Sequence, residues 1–335
     1  FRDITQQAGL NKRMWGMGCA IADLNNDGLS DLLVTGFESN TLYQNKGDGS
    51  FVDITASAKI NSGFWSTSAS LGDFNMDGLI DVYISNYIHY KKDARIFERS
   101  SGFRTTGNVA FDPTLYAPQQ NQLFINRGNF VFEDIAETAG VANSQGKSLG
   151  AKWVDLNGDD WLDLVVINDH SSPNQVFINH EGRDFSRGKQ QYAPFETAGA
   201  HALVVGDFNN NGEDAYFMSR GMGHPPVFLS HSQETETNDS AYTDSAWSSG
   251  FAHTRLLPFS GWGATAGDFN NDGFLDLYVA NGKTIPDIDT PFVTQYQQNS
   301  LFINRGNASF TYIPASNMFQ QHPYSSRATI AVDLN

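Results

Sequence analysis

The chain has 335 residues, of which 40% are hydrophobic, 13% aromatic and only 17% charged, with a formal net charge of −16. It is longer than one ordinary domain of roughly 100–200 residues, too apolar to be disordered and too poor in charge for a coiled coil. Its acidity repels a phosphate backbone, which argues against nucleic acid as a partner, and no apolar run exceeds four residues, as at 164–167, so no membrane insertion is expected.

In chain order, residues 1–5 read as a fourth strand that lacks its first three. Residues 16–22 form a run of small residues, residues 23–31 an acidic turn, and Leu32, Leu33 and Val34 a strand after it, so the turn is a hairpin connection. Third and fourth strands follow at 40–45 and 51–55, separated by glycine turns. The single cysteine, Cys19, excludes an intrachain disulfide framework and a cysteine zinc cluster; between Gly18 and Ala20 it is expected to be a small buried thiol.

The same unit then recurs. Acidic nonapeptides start at Asp23, Asp73, Asp155, Asp207 and Asp268, and a sixth copy begins at Asp333 and stops. The repeats run roughly over 11–60, 61–141, 142–198, 199–256 and 257–315, with an incomplete one at 316–335. Four short strands per repeat of about 50 residues is the arithmetic of an all-β propeller built from four-stranded blades, in one domain over 1–335 with about six blades represented. Small residues before each acidic turn fit the crowded innermost strand. The broken sixth copy leads us to expect a segment of a longer chain.

The pattern Asp-x-Asn-x-Asp-Gly-x-x-Asp offers side-chain oxygens at positions 1, 3, 5 and 9 and a backbone carbonyl at position 7, hard ligands suited to calcium. The candidate ligands are Asp23, Asn25, Asp27, Leu29 and Asp31; Asp73, Asn75, Asp77, Leu79 and Asp81; Asp155, Asn157, Asp159, Trp161 and Asp163; Asp207, Asn209, Asn211 and Asp214; and Asp268, Asn270, Asp272, Phe274 and Asp276. Four or five calcium sites are expected, because polar turn chemistry alone does not require an aspartate at position 9. The third copy has Asp160 in place of glycine. The fourth has Asn211 at position 5 and reads as one residue short, ending on Glu213 or Asp214, so it should bind weakest.

The stretch from Trp262 through Val279, with Gly-Asp-Phe-Asn-Asn-Asp-Gly at its centre, resembles the FG-GAP or VCBS repeat of integrin α-subunit propellers. The pattern Phe-x-Asp-Ile-Thr-x-x-Ala-Gly at residues 1–9, and more loosely at 132–140, resembles the cartilage-acidic-protein and UnbV-associated group of secreted proteins. These resemblances imply a propeller, commonly of seven blades, with calcium in the hairpins between strands one and two and an extracellular or cell-surface setting. They imply no particular chemistry.

The long insertions, 86–120 and 281–298, lie between strands two and three, on the face opposite the acidic turns. The first is aromatic and locally basic, with Tyr87 and Tyr90 at its start. Trp15, Trp65 and Trp262 read as lying just before their inner strands, where they either stack against a ligand or plug the centre, and His170 and His224 fall in equivalent loops. The expectation is a non-enzymatic secreted binding or adhesion module for a protein or glycan. The alternatives are a structural subunit that self-assembles and a carbohydrate-active lyase or hydrolase. No nucleophile elbow, phosphate loop or His-Glu-x-x-His signature is present, and acceptor patterns for glycosylation start at Asn238 and Asn307.

Overall fold

The computed structural model describes residues 2–60, 62–91, 113–169, 172–221, 223–232, 241–252, 259–282, 297–314 and 326–332. The chain divides into two compact units, Phe1–Lys91 with Tyr116–Gly188, and Lys92–Leu115 with Lys189–Asn335. The first unit holds three four-stranded sheets. They are β1 (Gly16–Ala22), β2 (Asp31–Gly36), β3 (Thr41–Asn45) and β4 (Phe51–Asp53); β5 (Ser66–Gly72), β6 (Asp81–Asn86), β7 (Gln122–Asn126) and β8 (Phe132–Asp134); and β9 (Ser148–Val154), β10 (Asp163–Asn168), β11 (Gln175–Asn179) and β12 (Phe185–Arg187). The second unit holds two: β13 (Ala200–Gly206), β14 (Ala215–Arg220), β15 (Val227–His231) and β16 (Tyr242–Asp244); and β17 (Gly261–Gly267), β18 (Asp276–Asn281), β19 (Ser300–Asn304) and β20 (Phe310–Pro314). Every sheet is antiparallel with its strands in chain order, which is the blade of an all-β propeller fold.

Second strands β6 and β10 are buried on both faces along their whole length, and β10 reads accordingly as an unbroken apolar run. Leu164, Val165, Val166 and Ile167 of β10 are all buried. Innermost strands adjoin one another, β1 along β5 and β5 along β9 in the first unit, and β13 along β17 in the second. Close approach explains their small residues: a Cβ on Gly18 would sit 2.8 Å from the carbonyl oxygen of Thr67 on the neighbouring strand. Each inner strand also carries a register shift against its partner near its start.

Core side chains gather between consecutive blades rather than inside any one sheet, because a sheet buries its apolar faces only against another layer. Leu24, Leu33 and Leu42 of the first blade meet Val82, Ile84 and Phe124 of the second. Phe74, Tyr83 and Leu123 meet Leu164, Val166 and Phe177. Phe208, Phe217 and Phe228 meet Leu277, Val279 and Phe302 in the second unit.

The turns after β8 and β16 each add a hydrogen bond to the next blade, and the turn ahead of β1 adds one to β4. Residues 244–252 are typical: Asp244 Oδ1 accepts the Ala246 N–H, the chain coils through Ser249, and the Ser249 carbonyl accepts the Phe310 N–H at 2.7 Å. Ala8 does the same for Phe51 and Ala139 for Phe185. Gly250 closes this turn at φ +88°, and a Cβ there would lie 2.4 Å from the Phe310 carbonyl oxygen. The Gly250→Ala variant is therefore expected to lose about 3 kcal/mol of stability, from left-handed strain plus displaced backbone. Chemical denaturation of the two proteins measures it, and equal midpoints would show that the turn gives way freely.

Three expectations are corrected. Residues 2–4 form no strand, and residues 5–9 are a turn that supplies the Ala8 carbonyl, so the resemblance to a fourth-strand motif lies in its second half. The described part of the sixth repeat, 326–332, contains no strand, although Ala328 and Thr329 lie beside Gly263 of β17. Cys19 is exposed. Alternation puts it with Met17 and Ile21 on one face of β1, and those two are also exposed. The equivalent residues of β5, Ala69 and Leu71, pack into the core shared with the first blade. Small neighbours reported how close the adjoining strand lies, not whether this face is covered.

Candidate functional site

Each acidic turn is held by hydrogen bonds to its own backbone. Asp23 Oδ1 accepts the Asp27 N–H at 3.1 Å, Asp23 Oδ2 accepts the Gly28 N–H at 2.7 Å, and Asp27 Oδ1 accepts the Leu29 N–H at 2.9 Å. The same three bonds recur around Asp73, Asp155 and Asp268. Positions 4 and 6 of every turn are left-handed, and Asp160 takes the position-6 role at φ +70°, as its tolerance for that region allows. The side chains of Leu29, Trp161 and Phe274 at position 7 pack against the glycines of the following turn, Gly47, Gly182 and Gly306.

The position-9 aspartate has a structural task that sequence reasoning missed. Asp81 Oδ2 accepts the Phe74 N–H at 3.3 Å and Oδ1 accepts the Asn126 N–H at 2.8 Å, which ties the turn to the end of the third strand. Asp31, Asp163 and Asp276 do likewise with Leu24 and Asn45, Leu156 and Asn179, and Phe269 and Asn304. An aspartate at position 9 thus has a purpose without any cation. Burial pushes the Asp81 carboxyl up to about 7 and the Asp163 carboxyl up to about 6; their amide bonds oppose the shift, and the neighbouring turn carboxylates add to it.

The asparagine at the end of the third strand joins blades. Asn126 Nδ2 donates to the Leu24 carbonyl of the preceding blade at 2.8 Å and to the Ile80 carbonyl of its own at 3.0 Å. Asn179 and Asn304 repeat this with Phe74 and Leu162, and with Phe208 and Leu275.

The fourth repeat departs from all of this. Strand register pairs Gly206 with Ala215, as Gly72 pairs with Asp81, so the turn has full length and Ala215 occupies position 9. The apparent missing residue is a substitution. Asp214 stands at position 8, where burial raises its pKa and Asp207 adds to the rise. The third-strand asparagine is also replaced, by His231.

The donor set of these turns, carboxylate and amide oxygen only, suits a hard cation. Among the described residues, however, no three carboxylate, imidazole or thiol groups are gathered as a metal cage.

At the opposite end of the first unit, Trp65 meets Phe37 edge-on at 5.2 Å between centroids and Tyr87 at 5.3 Å, and Tyr90 lies against Phe37, Trp65 and Tyr116. The Tyr87 hydroxyl donates to Asp169 Oδ2. Trp15, which precedes β1 and whose carbonyl accepts the Phe37 N–H, is 80% exposed. Trp262 is not its equivalent. It lies within β17 at the register shift, stacked on His201 at 4.2 Å, with the Arg327 guanidinium 4.6 Å from its ring centre and its Nε1 donating to the Gly282 carbonyl. His224 is exposed and lines a pocket of the second unit. His170, most of both long insertions and the acceptor at Asn238 lie outside the described residues.

The blades and their acidic turns define a repeat protein of the propeller class. The FG-GAP-like repeat model matches residues 23–84 and 155–217, and the FG-GAP repeat model matches residues 260–284, so the chain carries FG-GAP repeats. Among curated proteins it is similar to cartilage acidic protein 1 of Xenopus tropicalis, with 24% identity over 186 residues, which is 49% of this chain and 25% of that relative. The matched region thus spans a quarter of the relative's length. In fold it is similar to an Agrocybe aegerita lectin that recognises non-reducing terminal N-acetylglucosamine (TM-score 0.43, 14% identity, 96% of this chain and 85% of that one). It is also similar to the V. cholerae biofilm matrix protein Bap1 (TM-score 0.46, 12% identity, 92% and 40%) and to the GH43 protein BlXynB of Bacillus licheniformis (TM-score 0.42, 12% identity, 90% and 55%). Among the described residues no helix is long and apolar enough to cross a membrane.

Proposed function

We propose that this chain is a non-enzymatic, extracellular binding module that takes a glycan or protein partner at the blade ends opposite its acidic turns, with calcium in those turns as a folding cofactor. The observation that carries the binding site is Trp15. Trp15, 80% exposed and joined through its carbonyl to the N–H of Phe37, which packs on Trp65 and Tyr90, presents a large rigid ring of the kind that stacks on a sugar face or anchors a partner's side chain. The similarity to cartilage acidic protein 1 supports the extracellular setting. The oxygen-only donor set supports calcium.

The test is a glycan array probed with the wild-type chain and with Trp15→Ala, each at matched concentration and with melting curves recorded. A signal that falls about tenfold in the variant, with melting unchanged, is the expected result. Equal signals from the two proteins, or wild-type binding confined to the acidic-turn face, would overturn the assignment.

A further inference from the structure

Acidic turns of consecutive blades touch through the residue at position 4. Asn26, left-handed at φ +59°, donates from Nδ2 to the Gly78 carbonyl of the second turn at 2.9 Å. Asn210, at φ +57°, makes the same bond to the Gly273 carbonyl of the fifth turn, also at 2.9 Å. The second turn departs from this, because its position 4 is Met76, a side chain with no N–H to offer the third turn. Met76 is nevertheless left-handed at φ +56°. The turn itself therefore does not need asparagine at this position, and the amide serves the neighbouring turn.

The contact joins the middle of one turn to the middle of the next. On the giving side Asn26 stands between Asn25 and Asp27, whose side chains are bonded to each other at 2.8 Å. On the receiving side the Gly78 N–H is held by Asp73 Oδ2 at 2.8 Å and the Leu79 N–H by Asp77 Oδ1 at 2.9 Å, so with its carbonyl on Asn26 the backbone at Gly78 is fixed from two turns at once. Gly273 and Phe274 repeat this with Asp268 and Asp272. The third-strand asparagines also connect consecutive turns, but at their ends, positions 2 and 8. That end connection joins the second turn to the third as well, so what distinguishes the first and second turns, and the fourth and fifth, is the connection through their middles.

We propose that the acidic turns work as coupled pairs, first with second and fourth with fifth, in which the order of one turn is passed to its neighbour through the position-4 asparagine. Opening the first turn lifts Asn26 off the Gly78 carbonyl and frees the backbone that this bond fixed, and the effect is reciprocal. A cation that ordered one turn would by the same route favour filling of its pair and leave the third turn apart. This last consequence rests on the calcium reading above, whereas the coupling itself does not.

Amide hydrogen exchange of the whole chain in excess chelator, resolved to each turn by mass spectrometry, tests the pairing. Asp23→Ala removes the acceptor of the Asp27 and Gly28 N–H groups and so loosens the first turn. Exchange at 77–79 in the second turn is expected to rise about fivefold, with 159–161 in the third turn unchanged. Asn26→Gly keeps the left-handed backbone and deletes only the donor. It should raise second-turn exchange by itself, and adding Asp23→Ala to it should raise it no further. Should Asp23→Ala fail to fold, Asp207→Ala with and without Asn210→Gly, read at 272–274, decides the same question in the second unit. Second-turn exchange unchanged by Asp23→Ala, or raised as much in the Asn26→Gly background as in the wild type, would overturn the coupling. Equal rises in the second and third turns would show the whole unit loosening and would overturn it too. Repeating the wild-type measurement with added calcium keeps the two readings apart: no slowing in any turn would sink the calcium assignment, while the result in chelator would still decide the pairing.

Discussion

Asn126→Ala is expected to destabilise the native chain by about 3 kcal/mol, far more than the same truncation at Asn45. The Asn126 amide gives one hydrogen bond to Leu24 of the preceding blade and one to Ile80 of its own, and its Oδ1 accepts the Gly128 N–H at 2.9 Å. Asn126 is fully buried, so alanine strands two carbonyl groups away from water, and an unmade buried bond costs more than a made one contributes. Asn45 occupies the same position in the first blade, yet its Nδ2 reaches only the Ser30 carbonyl of its own turn, in an exposed setting. Its loss should cost about 1 kcal/mol. Urea unfolding of the two variants and the wild type measures the difference. Equal losses would show that the bond between blades adds nothing to the bond within one.

Chelation is expected to have the other large effect. If calcium fills the turns, excess chelator should lower the melting temperature by about 10 °C or more, since each site held at a hundredfold excess over its dissociation constant contributes about 2.7 kcal/mol. The effect should also depend on pH. In the ion-free fold the Asp81 carboxyl titrates at about 7, above the ordinary value of 3.8, so its burial favours the protonated form. That contribution is fully present below pH 4 and disappears as pH rises through 7, so the ion-free protein weakens over this range. Calcium needs the anion, so the drop caused by chelator should be larger at pH 8 than at pH 5.5. Thermal unfolding at the two pH values, with metal analysis of the untreated protein, is the measurement. No bound metal and no shift at either pH would leave the turns as structures closed by their own hydrogen bonds, a state their geometry already permits.

These two expectations separate the roles of the acidic turn. Asp81 holds Phe74 and Asn126 with its two carboxylate oxygens without any ion, and each oxygen keeps a lone pair that a cation could use. In the fourth repeat both Asp and Asn are gone, replaced by Ala215 and His231. The turn there still folds, with Asp207 accepting the Asn211 and Gly212 N–H groups. Local hydrogen bonding therefore suffices for the loop, and position 9 serves the link to the third strand.

By itself the sequence determined the repeat, the strands and their order. Gly, Asp and Asn set the turn conformation locally, and runs such as Leu164 to Ile167 declare a strand covered on both faces, so neither needs information from distant residues. Contacts between elements far apart in the chain were decided only by the tertiary structure. Cys19 sits among small residues, and whether its face is covered depends on a neighbouring layer that no local pattern reports. Trp262 looked equivalent to Trp15 and Trp65 until strand register put it inside β17 at an irregularity, which spacing alone does not reveal. The fourth turn reads as one residue short when Asp214 is taken as its last position, whereas pairing of Gly206 with Ala215 counts backbone positions and not side chains. Arg220 was visible as a letter that differs from Asn86, Asn168 and Asn281, a signal the acidic turns overshadowed. Its place required strand register, which sets it opposite Ala200 at the position where Asn86 and Asn168 each accept a serine hydroxyl and hold a loop carbonyl, contacts between residues far apart in the chain that no local pattern reports.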